Sequence, residues 1–353
     1  MFGPGNALSE TSVATPSPLL GRPGAVGGEG VDAGVAAHYG DPLREQRLLV
    51  EGLAVVDLSH RGVLTITGPD RISWLHSLTT QLLTGLAPHT SVETLILSPK
   101  GHIEHDLHLV DDGQTTWVTV EPGTAQALAS WLDSMRFMLR VEVLDLSGQY
   151  AVVGEPVRSE NTAAEPMAWS DPWPFMVGDT AAYCAVVDQA KHPGSERPWR
   201  ELIVPRDQLE QTVGDRPLAG MWAAEALRVA AWRPRLGFET DQRTIVHEVD
   251  WLRTAVNLHK GCYRGQETVA RVDNLGRPPR RLVFLHLDGS GHILPDRGAE
   301  VEAGGRVVGR LTSVARHHEL GPIALAVVKR NTPLEAVCLA AGTSASQEEI
   351  VRG

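Results

Sequence analysis

The chain has 353 residues, 42% of them hydrophobic, 21% charged and 5% aromatic, and 43 acidic against 32 basic residues give a formal net charge of -11. This composition suits one large core or two ordinary ones and excludes a collagen-like, disulfide-scaffold or wholly disordered chain. The acidic balance argues against a polycation that coats nucleic acid, and no apolar run approaches the roughly 20 residues of a membrane helix.

In chain order, residues 1–40 hold nine glycines and four prolines with Arg22 as their only Lys or Arg, which predicts a disordered leader and neither a secretory nor a transit peptide. Asp41-Pro42 then announces a helix to about residue 50, with an N-cap carboxylate followed by proline at the first helical position. Strands are expected over 54–58 and 63–67, then a helix opened by Pro69-Asp70 with Ile72, Leu75, Leu78 and Trp74 on its buried face. Further strands are expected at 92–97, 103–110 and 115–120, a helix at 123–135 and a strand at 141–146.

Residues 155–175 and 189–199 are aperiodic and read as long loops. Strands at 182–187 and 201–204 and helices at 206–213 and 221–231 follow. From Arg281 onward, short apolar runs at 282–287, 300–302, 306–314 and 323–328 alternate with glycine, the texture of a small antiparallel barrel beginning near Pro278-Pro279.

Three cysteines, Cys184, Cys262 and Cys338, lie far apart without a Cys-x-x-Cys pair, fitting neither a disulfide framework nor a zinc knuckle and suiting a reducing cytoplasm. Residues 225–285 carry ten arginines and Lys260 against seven acids, about +4 in a chain of -11. Two readings stand open: structural ion pairs on a solvated face, or an anion site. Within this stretch runs Leu258-His259-Lys260-Gly261-Cys262-Tyr263-Arg264-Gly265-Gln266-Glu267-Thr268-Val269-Ala270-Arg271. Its two glycines allow a tight turn that brings Cys262 and Tyr263 out before a helix at 266–271. A lone cysteine is commonly a small buried hydrophobe, whereas Lys260, Arg264 and a helix N-terminus beside it would favour the thiolate, with His259 as base if the turn folds back.

Other polar residues have plainer readings. His102 and His108 face one side of a strand and His105 the other. His317-His318 reads as a solvated hairpin and Gly304-Gly305 as a hairpin turn. Trp74 and Trp131 read as core. Trp222, Trp232 and Trp251 could wall an aromatic slot, although core is the simpler reading for each.

The run from Lys260 to Glu267 resembles the K-G-C-[FY]-x-G-Q-E signature of the YgfZ family, folate-binding relatives of the glycine-cleavage T-protein that include the mitochondrial Iba-type iron-sulfur assembly factor. Asp57-Leu58-Ser59, Gly68-Pro69-Asp70-Arg71, Trp74-Leu75-His76, Ala226-Leu227-Arg228-Val229, Pro234-Arg235-Leu236-Gly237, His247-Glu248 and Val308-Gly309-Arg310-Leu311-Thr312-Ser313 are similar to other segments of that family. The resemblance implies an α+β, GcvT-like fold: a folate-binding domain over 41–279, built of ferredoxin-like split βαβ subdomains around a central channel, then a C-terminal antiparallel β-barrel over 280–345 and a tail over 346–353. It implies tetrahydrofolate or a derivative as cofactor and no permanently bound metal.

The site it implies centres on Cys262, with Lys260, Gly261, Tyr263, Arg264, Gly265, Gln266 and Glu267 shaping the loop. Asp106 is a second reactive candidate, and Arg228, Glu248, Trp251 and Arg271 are the folate contacts. Gly101-His102-Ile103-Glu104-His105-Asp106-Leu107 resembles the T-protein G-G-x-x-D-D-L element, with His105 in the first aspartate position, and Ala230 stands where R-L-E would place a carboxylate. Both departures argue against aminomethyl transfer, because an imidazole cannot hold a developing ammonium as a carboxylate does. Glu225 or Glu248 could substitute for the missing carboxylate. The function implied is a cytoplasmic, monomeric folate-binding protein, without membrane association, supporting iron-sulfur assembly or repair. Its partners would be iron-sulfur enzymes or assembly proteins, with an indirect link to tRNA through tRNA-modifying enzymes. The alternatives are a folate-dependent one-carbon transferase centred on Asp106 and an RNA-binding accessory protein.

Overall fold

The computed structural model describes residues 15–159, 166–186, 188–291 and 294–353. Of the expected disordered leader, residues 1–14 lie outside the described residues and the remainder is ordered. Val26–Gly27 (β1) pairs antiparallel with Ala36–His38 (β2), and Leu19 and Val35 are fully buried. Gly24 serves a close approach: at φ +79, a Cβ there would lie 2.5 Å from the Tyr39 carbonyl oxygen.

Helix α1 (Pro42–Val50) starts as its sequence signal predicts, the Asp41 carboxylate accepting from the backbone N–H of Leu43 and Arg44. Then come Val55–Asp57 (β3), Gly62–Thr67 (β4), α2 (Arg71–Leu78), Ser91–Leu97 (β5), Ile103–Asp111 (β6), Thr115–Val120 (β7), α3 (Ala125–Met135) and Glu142–Asp145 (β8). Five of these strands form a wholly antiparallel sheet in the order β5-β6-β7-β4-β8. Leu107 and Leu109 pack with Trp74, Leu75, Leu128 and Leu132, so α2 and α3 cover one face. Strand alternation turns Asp106, His108 and Val110 to the other face, where Val110 packs with Trp169 and Ile203 of the second sheet.

The second sheet comprises Tyr150–Glu155 (β9), Met167–Ser170 (β10), Arg200–Pro205 (β11) and Leu218–Ala219 (β12) with β3, in the order β10-β11-β9-β3-β12. Strand β10 falls inside the expected loop region 155–175, of which 160–165 lie outside the described residues. The expected strand at 182–187 reduces, among its described residues, to one bridge between Cys184 and Val351. Helices α4 (Leu209–Val213) and α5 (Met221–Ala230) surround β12, and the short α6 (Leu252–Ala255) precedes α7 (Gln266–Leu275). No helix among the described residues is long and apolar enough to cross a membrane.

Arg280–Leu287 (β13), Glu300–Ala303 (β14), Arg306–His317 (β15), Gly321–Lys329 (β16), Cys338–Ala340 (β17) and Thr343–Glu349 (β18) close into a six-stranded barrel, β18 returning to pair with β13. The expected tail over 346–353 is therefore part of the barrel, and Ile350 and Val351 beyond it are fully buried. Along β13, Val283 and Leu285 fill the barrel while Leu282 and Phe284 point outward into a core shared with Trp232 and Trp251. Burial on both faces is why 282–287 reads as a near-continuous apolar run.

Candidate functional site

The two sheets, α5 and the turn after it enclose a half-open cavity of about 70 Å³ reachable by water centres, walled by Leu58, Trp169, Trp199 and Met221. At about 30 Å³ per water this holds roughly two molecules, so a larger ligand would extend through the open side. Strand β6 delivers Asp106 and His108 two residues apart, hence to the same side. Trp169 comes from β10, Glu201 from β11, Glu225 and Arg228 from α5, and Arg233 and Arg235 from the following turn.

His108 lies between two carboxylates, Nε2 3.3 Å from Asp106 Oδ2 and Nδ1 3.0 Å from Glu201 Oε2. Its ring stacks on Trp169 at 3.6 Å between centroids and 7° between planes. Burial alone would lower the His108 pKa, but Glu201 and Asp106 outweigh it and push it up to about 9. Burial likewise disfavours the Glu201 carboxylate, yet Arg61 and His108 hold it well below the usual range. Among the described residues, Asp106 Oδ1 and Glu93 Oε2 are buried without a hydrogen-bond partner. Burial pushes the Glu93 carboxyl up, with Arg233 opposing and Asp106 and Asp171 adding to the rise.

The basic excess of 225–285 is used in ion pairs. Arg235 meets Asp32 at 2.7 Å and Glu121 at 2.8 Å, and Arg228 meets Glu225 at 2.8 Å and Glu239 at 2.9 Å. Arg233 meets Glu93 at 2.5 Å and Asp171 at 3.2 Å. Three donor groups approach within 4.8 Å of one another in two places, Glu93-Asp106-His108 and Cys184-His192-Asp250. In each an arginine already supplies the positive charge a metal would bring, Arg233 on Glu93 and Arg253 on Asp250 at 2.6 Å.

The expected site residues are not brought together. Asp106 and Arg228 line the cavity, whereas Trp251 is fully buried and donates its indole N–H to Glu93 Oε1 at 2.7 Å, and neither of these two lines it. Glu248 accepts instead from Arg280, at 2.9 and 2.8 Å, and Arg271 is exposed on α7. None of the 260–267 loop lines the cavity. Lys260 turns inward and donates to the carbonyl oxygens of His76, Thr79 and Gln81, capping the end of α2, while burial pushes its pKa down to about 8. Tyr263 is buried, and Arg264 pairs with Glu104 at 3.2 Å and lies over the Trp131 ring. Gln266 and Glu267 open α7. Cys262 is exposed, and the cationic and basic neighbours expected around its thiol are turned away: Lys260 into the core, His259 onto Asp179 at 2.7 Å.

Of the two motif glycines only Gly265 needs to be glycine. It sits at φ +83, and a Cβ there would lie 2.5 Å from the Ser98 carbonyl oxygen and 2.9 Å from Gly101 Cα, whereas Gly261 faces open space. Gly265→Ala is expected to lower the unfolding free energy by at least about 1–2 kcal/mol, read from urea denaturation, and Gly261→Ala to leave it within about 0.5 kcal/mol. Equal effects would contradict this assignment.

His105 lies on the far side of β6 from Asp106, where burial and Arg264 push its pKa down to about 4. Trp222 is exposed beside His38, and Trp232 is core, so neither walls the cavity. His317 is buried, its Nδ1 accepting from the N–H groups of Glu319 and Leu320, so it is not a solvated hairpin residue. Glu93, His108, Trp169, Asp171 and Glu201 escaped the sequence reading as site residues. The available signal was a lone carboxylate inside an otherwise apolar strand, as in Val92-Glu93-Thr94-Leu95 and Glu201-Leu202-Ile203-Val204.

Residues 24–154 match the GCVT N-terminal domain, and residues 280–348 match the glycine cleavage T-protein C-terminal barrel domain. The chain carries both GCVT-type domains. It is 26% identical over 309 residues to a chloroplastic protein of Arabidopsis thaliana named as a transferase, covering 81% of this chain and 67% of that one. It is 25% identical over 342 residues to the aminomethyltransferase of Moorella thermoacetica, covering 90% of each. The crystal structure of aminomethyltransferase T of the Bartonella henselae glycine cleavage system has the same fold, with a TM-score of 0.71 at 19% identity over 95% of each chain. Of the His105-Asp106 pair, Asp106 lines the cavity, and His105 faces the other side of the strand.

Proposed function

We propose that this GCVT-type chain is a folate-binding, one-carbon-handling protein whose reactive group is Asp106. The observation that carries this is Asp106, a carboxylate of the cavity lining whose Oδ1 is buried without a hydrogen-bond partner. A pteridine edge offers N–H donors to such a carboxylate, and Trp169 and Trp199 give the aromatic wall. Bound tetrahydrofolate would supply a nucleophilic nitrogen for a one-carbon unit. Asp106 would accept a hydrogen bond from that nitrogen or hold an ammonium developing beside it.

Calorimetric titration with tetrahydrofolate tests this. Wild type is expected to bind and Asp106→Asn to bind at least about tenfold more weakly, since a hydrogen bond to a charged group is worth roughly 1.5–3 kcal/mol. An unaltered variant, or a wild type that does not bind, overturns the reading. Incubation with tetrahydrofolate and an aminomethyl or methylated-amine donor then tests transfer, which requires methylene-tetrahydrofolate above background.

A second reading is favoured by a different observation: Cys262 is the one exposed cysteine, the other two being buried. It is the YgfZ-like role, support of iron-sulfur enzymes through this thiol as a transient ligand or docking element, since one thiolate cannot hold a cluster alone. A Cys262→Ala strain should then lose iron-sulfur enzyme activity under oxidative stress while the purified variant keeps wild-type stability. Normal activity removes this reading.

A further inference from the structure

We infer that His108 is a positioning residue for Asp106: an imidazolium clamped between Asp106 and Glu201 and held flat on Trp169, it fixes the orientation of the Asp106 carboxylate in the cavity lining. The inference rests on the reading of Asp106 as the reactive carboxylate and adds the residues that hold it.

The charge state follows from geometry. Both ring nitrogens face carboxylate oxygens, at 3.3 and 3.0 Å, and a neutral imidazole would turn a bare lone pair on one of them. Arg61 comes from the turn before β4, its Nη2 3.3 Å from His108 Nδ1 and its Nε 3.6 Å from Glu201. Glu201 comes from β11 and also accepts from the Thr119 hydroxyl at 2.9 Å. Asp106 lies on the same strand, and Glu93 of β5 and Asp171 are further nearby acids. Arg61 is shared with Glu121 at 3.0 Å, so it does not by itself neutralise Asp106 and Glu201, and the imidazolium supplies the positive charge between these two carboxylates. The raised pKa of His108 agrees.

The ring's orientation is fixed from further out. Trp169 donates its indole N–H to the Val92 carbonyl oxygen at 3.0 Å, pinning the surface on which His108 lies. With Oδ2 committed to His108, the Asp106 carboxylate cannot rotate without breaking an ion pair, and Oδ1 stays directed away from the ring. His108 itself does not need to touch a ligand to do this.

Nitrogen-15 histidine NMR on the full chain provides the first test. His108 should carry protons on both ring nitrogens at pH 7.5, and Glu201→Gln should lower its titration midpoint by about 1–3 pH units. A neutral His108 at pH 7.5 overturns the clamp. The second test is tetrahydrofolate affinity at pH 7.5. His108→Gln should weaken it at least tenfold. The double variant His108→Gln/Glu201→Gln, which restores charge balance, should regain melting temperature without regaining affinity. Affinity returning together with melting temperature would make His108 merely structural and overturn the proposal. A wild type that fails to bind tetrahydrofolate sinks the folate reading alone, because the NMR titration judges the clamp independently.

Discussion

Replacing Arg228 with alanine should lower the unfolding free energy by about 3–5 kcal/mol, the range for removing one partner of a buried ion pair. Arg228 is 5% exposed and uses its whole guanidinium. It donates to Glu225 through Nε and Nη2 at 2.9 and 2.8 Å, to Glu239 at 2.9 Å, to Ser313 Oγ at 2.6 Å and to the Arg233 carbonyl oxygen at 2.6 Å. Glu239 is fully buried and also receives the hydroxyls of Thr312 and Ser313 from β15, so Arg228 and Glu239 together bolt α5 to the barrel. Without the guanidinium Glu239 keeps its burial and loses its cation, and Glu225 is left with Arg235 alone, at 3.3 Å. Urea denaturation measures the loss, and a change below about 1 kcal/mol would contradict it. Arg228→Ala is accordingly a poor probe of folate contact, because binding would fall with the fold.

The second large effect is on pH dependence. The His108 pKa is raised to about 9 in the folded chain from an ordinary value near 6.5. The folded state therefore holds this proton more tightly, and the stabilisation is complete below pH 6.5 and lost as pH rises through 9. Between pH 6 and pH 8 this amounts to about 2 kcal/mol, at roughly 1.4 kcal/mol per pKa unit. Burial works in the opposite sense on His105, His247 and His317, each pushed down to about 4, and on His192, pushed down to about 3; their contribution is lost as pH falls below 6.5, and between pH 6 and pH 8 together they add about 3 kcal/mol, which offsets the His108 loss. Burial of Lys260 matters only above about pH 8, where its lowered pKa returns stability as pH rises. Wild-type stability should thus peak near pH 7, where the opposing slopes cancel. Urea midpoints across pH 6–8 check the His108 contribution, with His108→Gln as reference: relative to the variant, wild type should lose about 2 kcal/mol between pH 6 and pH 8, and parallel curves would show that His108 is not the source.

How far the sequence could be read depended on the kind of signal. The Asp41-Pro42 start of α1 and the alternation of β6 are local, and both are found in the structure. The glycine-rich segment around Gly24 was misread because glycines that permit backbone contact look, in composition, like glycines that permit disorder. Strand β10, four residues inside a proline-rich stretch, exists because it pairs with β11, and no short-range pattern announces such an edge. At the site, Asp106 was legible from its motif. Glu93 and Glu201 were not grouped with it because they lie on separate strands, and only the packing of the two sheets brings them to one histidine. The Lys260–Glu267 motif drew attention to a thiol, yet its lysine caps a helix and its second glycine allows two backbone segments to touch.

The barrel is closed by the pairing of β13 with β18, strands separated by more than fifty residues of chain. During synthesis, β13 must wait with an open edge until residues 343–349 have been made, and until then Leu282 and Phe284 on its outer face have no fixed place beside Trp232 and Trp251. Ring closure is the long-range, slow event of folding, and completion of the adjoining core depends on it. A ribosome paused anywhere between β13 and β18 would hold a chain whose first sheet could already be folded while its apolar seam for the barrel stayed exposed, the state in which a chaperone has most to do.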